Sequence, residues 1–591
     1  MMGSSVLVGT VSLLLLFHYH PVTSSGDRSV MVQILHLSSS LPDDDRENKL
    51  GSSTTMDHRH QIHVDLDPAF LRHGGPGPAV PVQPQHGASD PKQDDNNWNV
   101  PHVPDSMFQK PDTDRCSQFL GNSMGNSEAR FFSLCSDDMM MGTLWCEWNP
   151  VLESSFCQAN NLMVDPSKIT VSKGGESIQQ VMGRAEAEEL PSYQSGALHL
   201  SQCVPNQNHI NPKDLPFHLF DMFQSLDEGT NRHVECTAYE ERPTLIITRY
   251  EYANLYHTYS DWYSAYQAAM IALHGNRSAV ENVHIVFFDG HAQAKTDMGW
   301  KLLFSNATVC YISEYKNDKK EPACFRNAIF VPAGYTAPTS VTSIERLGMG
   351  EPAYKYIDAS CQKNKWQQRF REMMVGNSKR YLIANKATTR LNLLLQDGNN
   401  SHQDPNSPKK MEGRKQRDNQ PTLRVMLLSR TNYQSHPRMD GKVSRIIQNE
   451  EEVLHFLEDY KGPDEPMGIL SKENFPTVTV NRVVLEEHDV AEQIVMFQQA
   501  DVVVGMHGAG LSHIFLARPG TVLLEIKPNG YSDSMRHFQY LAQMAGCIHR
   551  PRDLRTDDDP YPVPISDFEQ SFKESVALFL GHQNNLAASQ Q

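Results

Sequence analysis

Near the C-terminal end of the chain, Asp501 to Ile526 reads DVVVGMHGAGLSHIFLARPGTVLLEI, a strand, a glycine-rich turn opening a helix, and a second strand. His507-Gly508-Ala509-Gly510 sets almost no side-chain bulk beside the free N–H groups of a helix start, where partial positive charge accumulates. Such a unit can hold a nucleotide diphosphate. Met506 and Leu511 flank the turn and complete the candidate donor-binding stretch. Glu525 closes the second strand, where a carboxylate is placed to accept hydrogen bonds from ribose hydroxyls. A tight turn with close packing would show the same spacing. The dinucleotide pattern G-x-G-x-x-G is absent, because the glycines fall at Gly505, Gly508 and Gly510 with bulky Leu511 next, which argues against hydride transfer.

A second group of residues lies far upstream. The segment RYEYANLYHTYSDWY, Arg249 to Tyr263, directly follows the strand-like run Thr244 to Thr248, so its helix is expected to begin at a strand's C-terminal end, which faces the cleft. Asn254, His257 and Asp261 then fall on one face at i, i+3 and i+7, with Tyr259, Trp262, Tyr266 and Met270 on an apolar face elsewhere. His257 and Asp261 can act as a base with its orienter, or as a base and a sugar-hydroxyl clamp; a solvated helix face is the competing reading. Glu251 and Asn254 are the candidate substrate-binding residues.

The stretch SRTNYQSHPRMDGKVSRIIQNEEE places Arg430, Arg438, Lys442 and Arg445 ahead of a helix. An arginine fork stays charged and meets phosphate oxygens through two donors, so Arg430 and Arg445 join the donor-binding set, with solvated loop charge as the alternative. Asp289-Gly290-His291, after VHIVFF, lacks the second carboxylate of a D-x-D cation site and reads as a turn behind a buried strand. The acidic run AEAEELPSY, Ala185 to Tyr193, reads as surface charge.

Positioning these groups takes two alternating regions. The first runs through strands at Thr244 to Thr248 and Val283 to Phe288 around the amphipathic NLYHTYSDWYSAYQAAMIAL. The second runs through strand Arg424 to Leu428, helix Asn449 to Glu458, strand Val478 to Val484, helix Val490 to Gln499 and the unit that holds His507. That pattern predicts an α/β fold in two halves with a cleft between them. The expected organisation is a signal peptide or signal anchor over 1–25, a disordered stem over 26–110, an α/β domain over 111–390, a linker over 391–420, an α/β domain over 421–550, and a tail over 551–591 with a terminal helix. The apolar run from Val6 to Phe17 is short for a membrane span and has no Lys or Arg before it, so a cleaved signal and a short anchor both stand.

A net charge of −17 over 591 residues offers no basic surface, which excludes a nucleic-acid partner. Ten cysteines without a C-x-x-C pair fit disulfides formed in a secretory lumen.

The chain resembles glycosyltransferase family 61, in particular its plant members that act on N-glycan cores. The resemblance runs through most of Cys116 to Cys547 and is carried by CSQFLGN, MVDPSKITVSKGGESIQQVMGRAEAEELP, RYEYANLYHTYSDWYSAY, VFFDGH, CFRNAI, HPRMDGKVSRIIQNEEEV and VVVGMHGAGLSHIF. It implies a Golgi type II membrane enzyme of the GT-B kind, with two facing Rossmann-like domains and the donor held by the C-terminal one. It also implies transfer of xylose from UDP-xylose to the core β-mannose of N-linked glycans with inversion, and no bound metal or other cofactor. By the same resemblance, the family's Asn-x-x-His-x-x-x-Asp pattern maps onto Asn254, His257 and Asp261, and its diphosphate turn onto His507 to Gly510. Asp261 is then the expected base, with His257 as the alternative. Use of UDP-N-acetylglucosamine or UDP-arabinose by the same fold, and a catalytically silent glycan-binding module, are the competing readings.

Overall fold

The computed structural model describes residues 130–136, 143–201, 203–227, 236, 238–316, 321–343, 364–385, 422–434, 436–439, 441–462, 475–529, 535–554 and 560–590. The N-terminal apolar run, the stem, the 391–420 linker and the cysteines Cys116 and Cys361 lie outside the described residues.

Ten strands come first: β1 (Arg130–Ser133), β2 (Leu144–Asn149), β3 (Ser154–Val164), β4 (Ile169–Thr170), β5 (Ser192–Tyr193), β6 (Leu198–His199), β7 (Thr244–Ile247), β8 (His284–Phe287), β9 (Thr308–Tyr311) and β10 (Ala323–Phe330). Eight of them form one mixed sheet in the order β1-β2-β3-β10-β7-β8-β9, with β6 added on β3, while β4 and β5 pair separately. Strands β10, β7, β8 and β9 run parallel, and β1 to β3 join them antiparallel. The chain travels from β7 outward through β8 to β9 and then returns to the other side of β7 as β10. That reversal opens a crevice beyond the C-terminal ends of β7 and β10, the place where doubly wound sheets bind ligands.

The second sheet is wholly parallel. Its strands are β11 (Thr422–Ser429), β12 (Thr477–Val484), β13 (Val502–Met506), β14 (Val522–Lys527) and β15 (Ile548–Asp553), in the order β12-β11-β13-β14-β15. Strands β13 and β14 are buried at every position, as continuous apolar runs covered on both faces should be. Here the order reverses at β11 and β13, so the matching crevice lies beyond Ser429 and Met506. The sequence-derived α/β class therefore stands, as one mixed and one parallel sheet.

Among the described residues the α-helices of eight residues or more are α1 (Leu255–Ala272), α2 (Lys365–Ala384), α3 (Glu450–Asp459), α4 (Val490–Gln499), α5 (His537–Met544) and α6 (Ile565–Gln590). Helix α1 differs from expectation in two ways. It begins at Leu255 rather than Arg249, because Asn254 Oδ1 accepts from Tyr256 N at 3.0 Å and caps it there. It is also buried nearly all round instead of amphipathic, since it packs between the first sheet (Leu245, Ile247, Phe287) and residues of α2 and of the segment after β13 (Phe370, Phe515). Burying side chains such as Leu255, Met270 and Phe370 contributes roughly 1.5–3 kcal/mol each.

The tyrosines of α1 suit such a position because the ring is apolar and the hydroxyl can still find a partner. Tyr256 Oη donates to Thr339 O at 3.0 Å, Tyr266 Oη donates to Trp366 O at 2.9 Å, and Tyr259 Oη lies 2.7 Å from His513 Nδ1. Disulfides join Cys135 to Cys203, Cys146 to Cys157 across the β2–β3 ladder, and Cys236 to Cys324. Among the described residues Cys310 and Cys547 carry free thiols.

Candidate active site

The two crevices hold the residues singled out from the sequence. On the first sheet, Arg249 follows β7 and Asp289 follows β8, and both are fully buried. Arg249 Nη2 donates to Asp289 Oδ1 at 2.7 Å, and its Nη1 donates to Asp297 at 2.9 Å. Asp289 Oδ2 also accepts from Arg249 N at 2.8 Å. The Asp289 carboxylate is thereby taken up in anchoring the loop that leads to α1, and the guanidinium beside it holds its pKa below the usual range despite burial.

His257 and Asp261 do share a face of α1, one turn apart. His257 is partly exposed and stands among the rings of Tyr250, Tyr256 and Tyr335, at centroid distances of 5.8, 5.4 and 5.6 Å. Burial pushes its pKa down to about 4, so the imidazole is neutral. Asp261 is only 4% exposed and lies where the ends of β7 and β10 meet, between Tyr250 and Gly334. Its Oδ2 accepts from Tyr250 N at 3.3 Å, and a Cβ on Gly334 would collide with Oδ1. Burial pushes this carboxyl up to about 8, against the pull of the Tyr250 N–H and of Arg249. A carboxylate of that basicity can take a proton from a sugar hydroxyl near neutral pH.

Asn254 and Glu251 are placed differently from their expected substrate roles. The Asn254 oxygen caps α1, and Glu251 Oε1 accepts from Ala253 N at 2.9 Å, so both shape the loop that presents His257.

On the second sheet, Arg430 follows β11 and the glycine turn follows β13. Arg430 Nη1 donates to His507 O at 3.2 Å. Gly508 has φ 172°, ordinary extended backbone, so its lack of a side chain answers to space: a Cβ there would stand 2.8 Å from Arg430 Nη1. The turn opens an eight-residue 3₁₀ helix, Ala509–Leu516, rather than an α-helix. Its first N–H groups have no intrahelical acceptor in either form and remain able to meet an anion. Arg445 is buried with φ 61°, a strained conformation for a side-chain-bearing residue, and its charge adds to burial in lowering the proton affinity of His507. Gly508→Ala is expected to displace Arg430 from the turn at a cost of about 1–3 kcal/mol of stability, read by thermal melting.

Three donor-side residues are more deeply placed than their positions in the sequence suggest. Glu525 does not close its strand, which continues to Lys527, and it is completely buried. Its oxygens lie 2.5 Å from His507 Nδ1 and 2.5 Å from His549 Nε2. Burial alone would raise its pKa, but those two partners hold it at about 2. Each of its oxygens thus has a histidine partner, and it orients His507. Met506 and Leu511 are buried in the apolar cores.

The two crevices are in contact. Tyr259 of α1 bonds His513 of the 3₁₀ helix, and the Tyr256 ring lies 4.7 Å from that of His537, the first residue of α5. A third bridge uses a residue read as surface charge: Glu189 is fully buried, 2.9 Å from Arg438 Nη1 and 3.2 Å from His291 Nδ1. Tyr250, Tyr335, Glu189 and His537 were all missed in the sequence. The one available signal was position, since Tyr250 and Tyr335 follow strand ends and His537 opens a helix after β14.

Residues 370–524 match the family model described as Glycosyltransferase 61. That span contains Arg430, Arg445 and the His507–Gly510 turn, and leaves out α1 and His537. The chain is similar to Beta-1,2-xylosyltransferase RCN11 of Oryza sativa subsp. japonica, 32% identical over 405 residues that make up 66% of this chain and 66% of the rice protein. It is also similar to Beta-1,2-xylosyltransferase of Arabidopsis thaliana, 28% identical over 442 residues, 69% of this chain and 75% of that protein.

Proposed function

We propose, for a chain that belongs to glycosyltransferase family 61 and is therefore a glycosyltransferase, that the joined crevices transfer xylose from UDP-xylose to the core β-mannose of N-linked glycans with inversion. The observation that carries this reading is the contact of α1, with His257 and Asp261, against the 3₁₀ helix that follows the glycine turn. In a GT-B arrangement the second sheet holds the donor and the first sheet the acceptor, with domain limits near 111–390 and 421–550. The names of the rice and Arabidopsis relatives favour xylose as the sugar.

In this mechanism the UDP diphosphate sits against the N–H groups of Gly508 to Gly510, the His507 N–H being donated to Ile526 O at 2.8 Å, with Arg430 and Arg445 balancing its charge in place of a metal ion. Asp261 withdraws the proton of the mannose hydroxyl as its oxygen attacks the anomeric carbon from the side opposite UDP. The bond from that carbon to the UDP oxygen breaks, the glycosidic bond forms, the proton rests on Asp261, and UDP leaves as the anion. His257, neutral and ringed by tyrosines, orients the acceptor sugar. The three disulfides among the described residues suit an oxidising lumen, in keeping with a Golgi location.

Incubation of the full chain with UDP-xylose, UDP-N-acetylglucosamine and UDP-arabinose, each with a biantennary N-glycan, tests the proposal. Mass spectrometry should find one added pentose with UDP-xylose, and NMR a β-linkage. Transfer of a different sugar would overturn the donor assignment, and glycan binding without turnover would leave only a binding module.

A further inference from the structure

Outside the residues given a role above, one polar side chain occupies the junction of the two crevices. His537 opens α5 on the second sheet, and its ring meets the edge of Tyr256 on α1 at 4.7 Å and faces the His507 ring at 6.1 Å. The Tyr256 ring that it meets lies 5.4 Å from the His257 ring as well. Three imidazoles, one from α1, one from the glycine turn and one from α5, thus converge where donor and acceptor would meet.

The surroundings of His537 do not use its polarity. Its Nδ1 is buried and makes no hydrogen bond, although a buried ring nitrogen normally finds a partner. Its neighbours Tyr256 and Phe538 pack on the ring, and the Tyr256 hydroxyl is turned away to Thr339 O and the Val341 N–H. Burial and the nearby His507 and His257 keep the imidazole neutral, with its pKa pushed down to about 3. A neutral imidazole offers one donor and one acceptor nitrogen, which is what a sugar hydroxyl requires.

We infer that His537 is a sugar-binding residue whose Nδ1 takes a hydroxyl of one of the two sugars that meet in the cleft. The inference rests on the reading of the cleft as a glycosyl-transfer site. The sugar is either the transferred pentose or the acceptor residue, and the two are separated by which KM responds.

The test uses the full chain with His537→Leu, which keeps bulk and loses the nitrogen, and His537→Asn, which restores a polar atom near the Nδ1 position. Leucine is expected to raise KM roughly 5- to 10-fold for one substrate, UDP-xylose or glycan, with asparagine recovering most of it. The affinity for UDP alone and the melting temperature should stay near wild-type. Unchanged KM values for both substrates in the leucine variant would overturn the inference, as would a parallel loss of UDP affinity, which would assign His537 to shaping the glycine turn. If His537→Leu does not fold, His537→Gln takes its place: the longer side chain moves the polar atoms away from Nδ1, and a wild-type KM for both substrates then also overturns it. Failure of the parent chain to transfer pentose would instead strike at the reading of the site itself.

Discussion

Asp261→Asn is expected to lower kcat by roughly a hundred- to ten-thousand-fold, the usual worth of a positioned general base, with UDP affinity retained. The substitution keeps volume and an oxygen for the Tyr250 N–H, so it removes the proton acceptor and little else. The pH profile separates the two candidate bases. With Asp261 as the base, kcat/KM climbs with pH until the carboxyl is ionised, near 8; with His257 it is already flat above about 4. Stability should move the opposite way. A carboxyl whose folded pKa lies above its unfolded value of 3.8 lends stability that is full below 3.8 and lost as pH rises through about 8. Asparagine has no charge to bury, so the variant should melt above the parent at pH 8 and level with it near pH 4. Near-normal turnover by Asp261→Asn would remove this residue from the mechanism.

Arg249→Met should cost about 3–5 kcal/mol, the range for breaking one partner out of a buried ion pair. Arg249 is buried, satisfies Asp289 and Asp297 together, and stacks its guanidinium 4.0 Å from the Phe287 ring. Methionine can fill the space, but it strands the Asp289 carboxylate where no water reaches it. The folded pKa of Asp289 is depressed in the parent, so the stability it contributes is present above its ordinary value of 3.8 and lost as pH falls below that. Denaturant titration should therefore show a deficit that is full near neutral pH and narrows as pH falls below 3.8. A deficit independent of pH would mean that packing, not charge, dominates at this position.

Much of the second sheet was legible because its physics is local. VVVGM and VLLEI are apolar at every position, and only a parallel strand covered on both faces accepts such runs. Helix α4 lies where its start signals place it, since Asp489 Oδ1 caps Glu492 N at 2.8 Å. The turn at His507 to Gly510 was readable as a close approach, but what approaches is Arg430, a residue 78 positions earlier, and no local pattern reports that.

The misplaced residues share one cause. Glu525 looked like a strand-end carboxylate and Glu189 like surface charge, because an acidic side chain carries no sign of the distant histidine or arginine that will neutralise it. Asn254 looked like a ligand because the residues that make a good cap are the residues that bind sugars.

By itself the sequence determined the elements around β7, β8 and from β11 to β14, their α/β alternation, the glycine-rich turn and the shared face of His257 and Asp261, since each depends on spacing along one segment. Only the tertiary structure decided which charges are buried, that α1 is covered on every side, and that His257, His507 and His537 converge. Those outcomes come from contacts between distant segments: strand order sets the two crevices, and the packing of α1 on the elements around the second sheet brings their residues together.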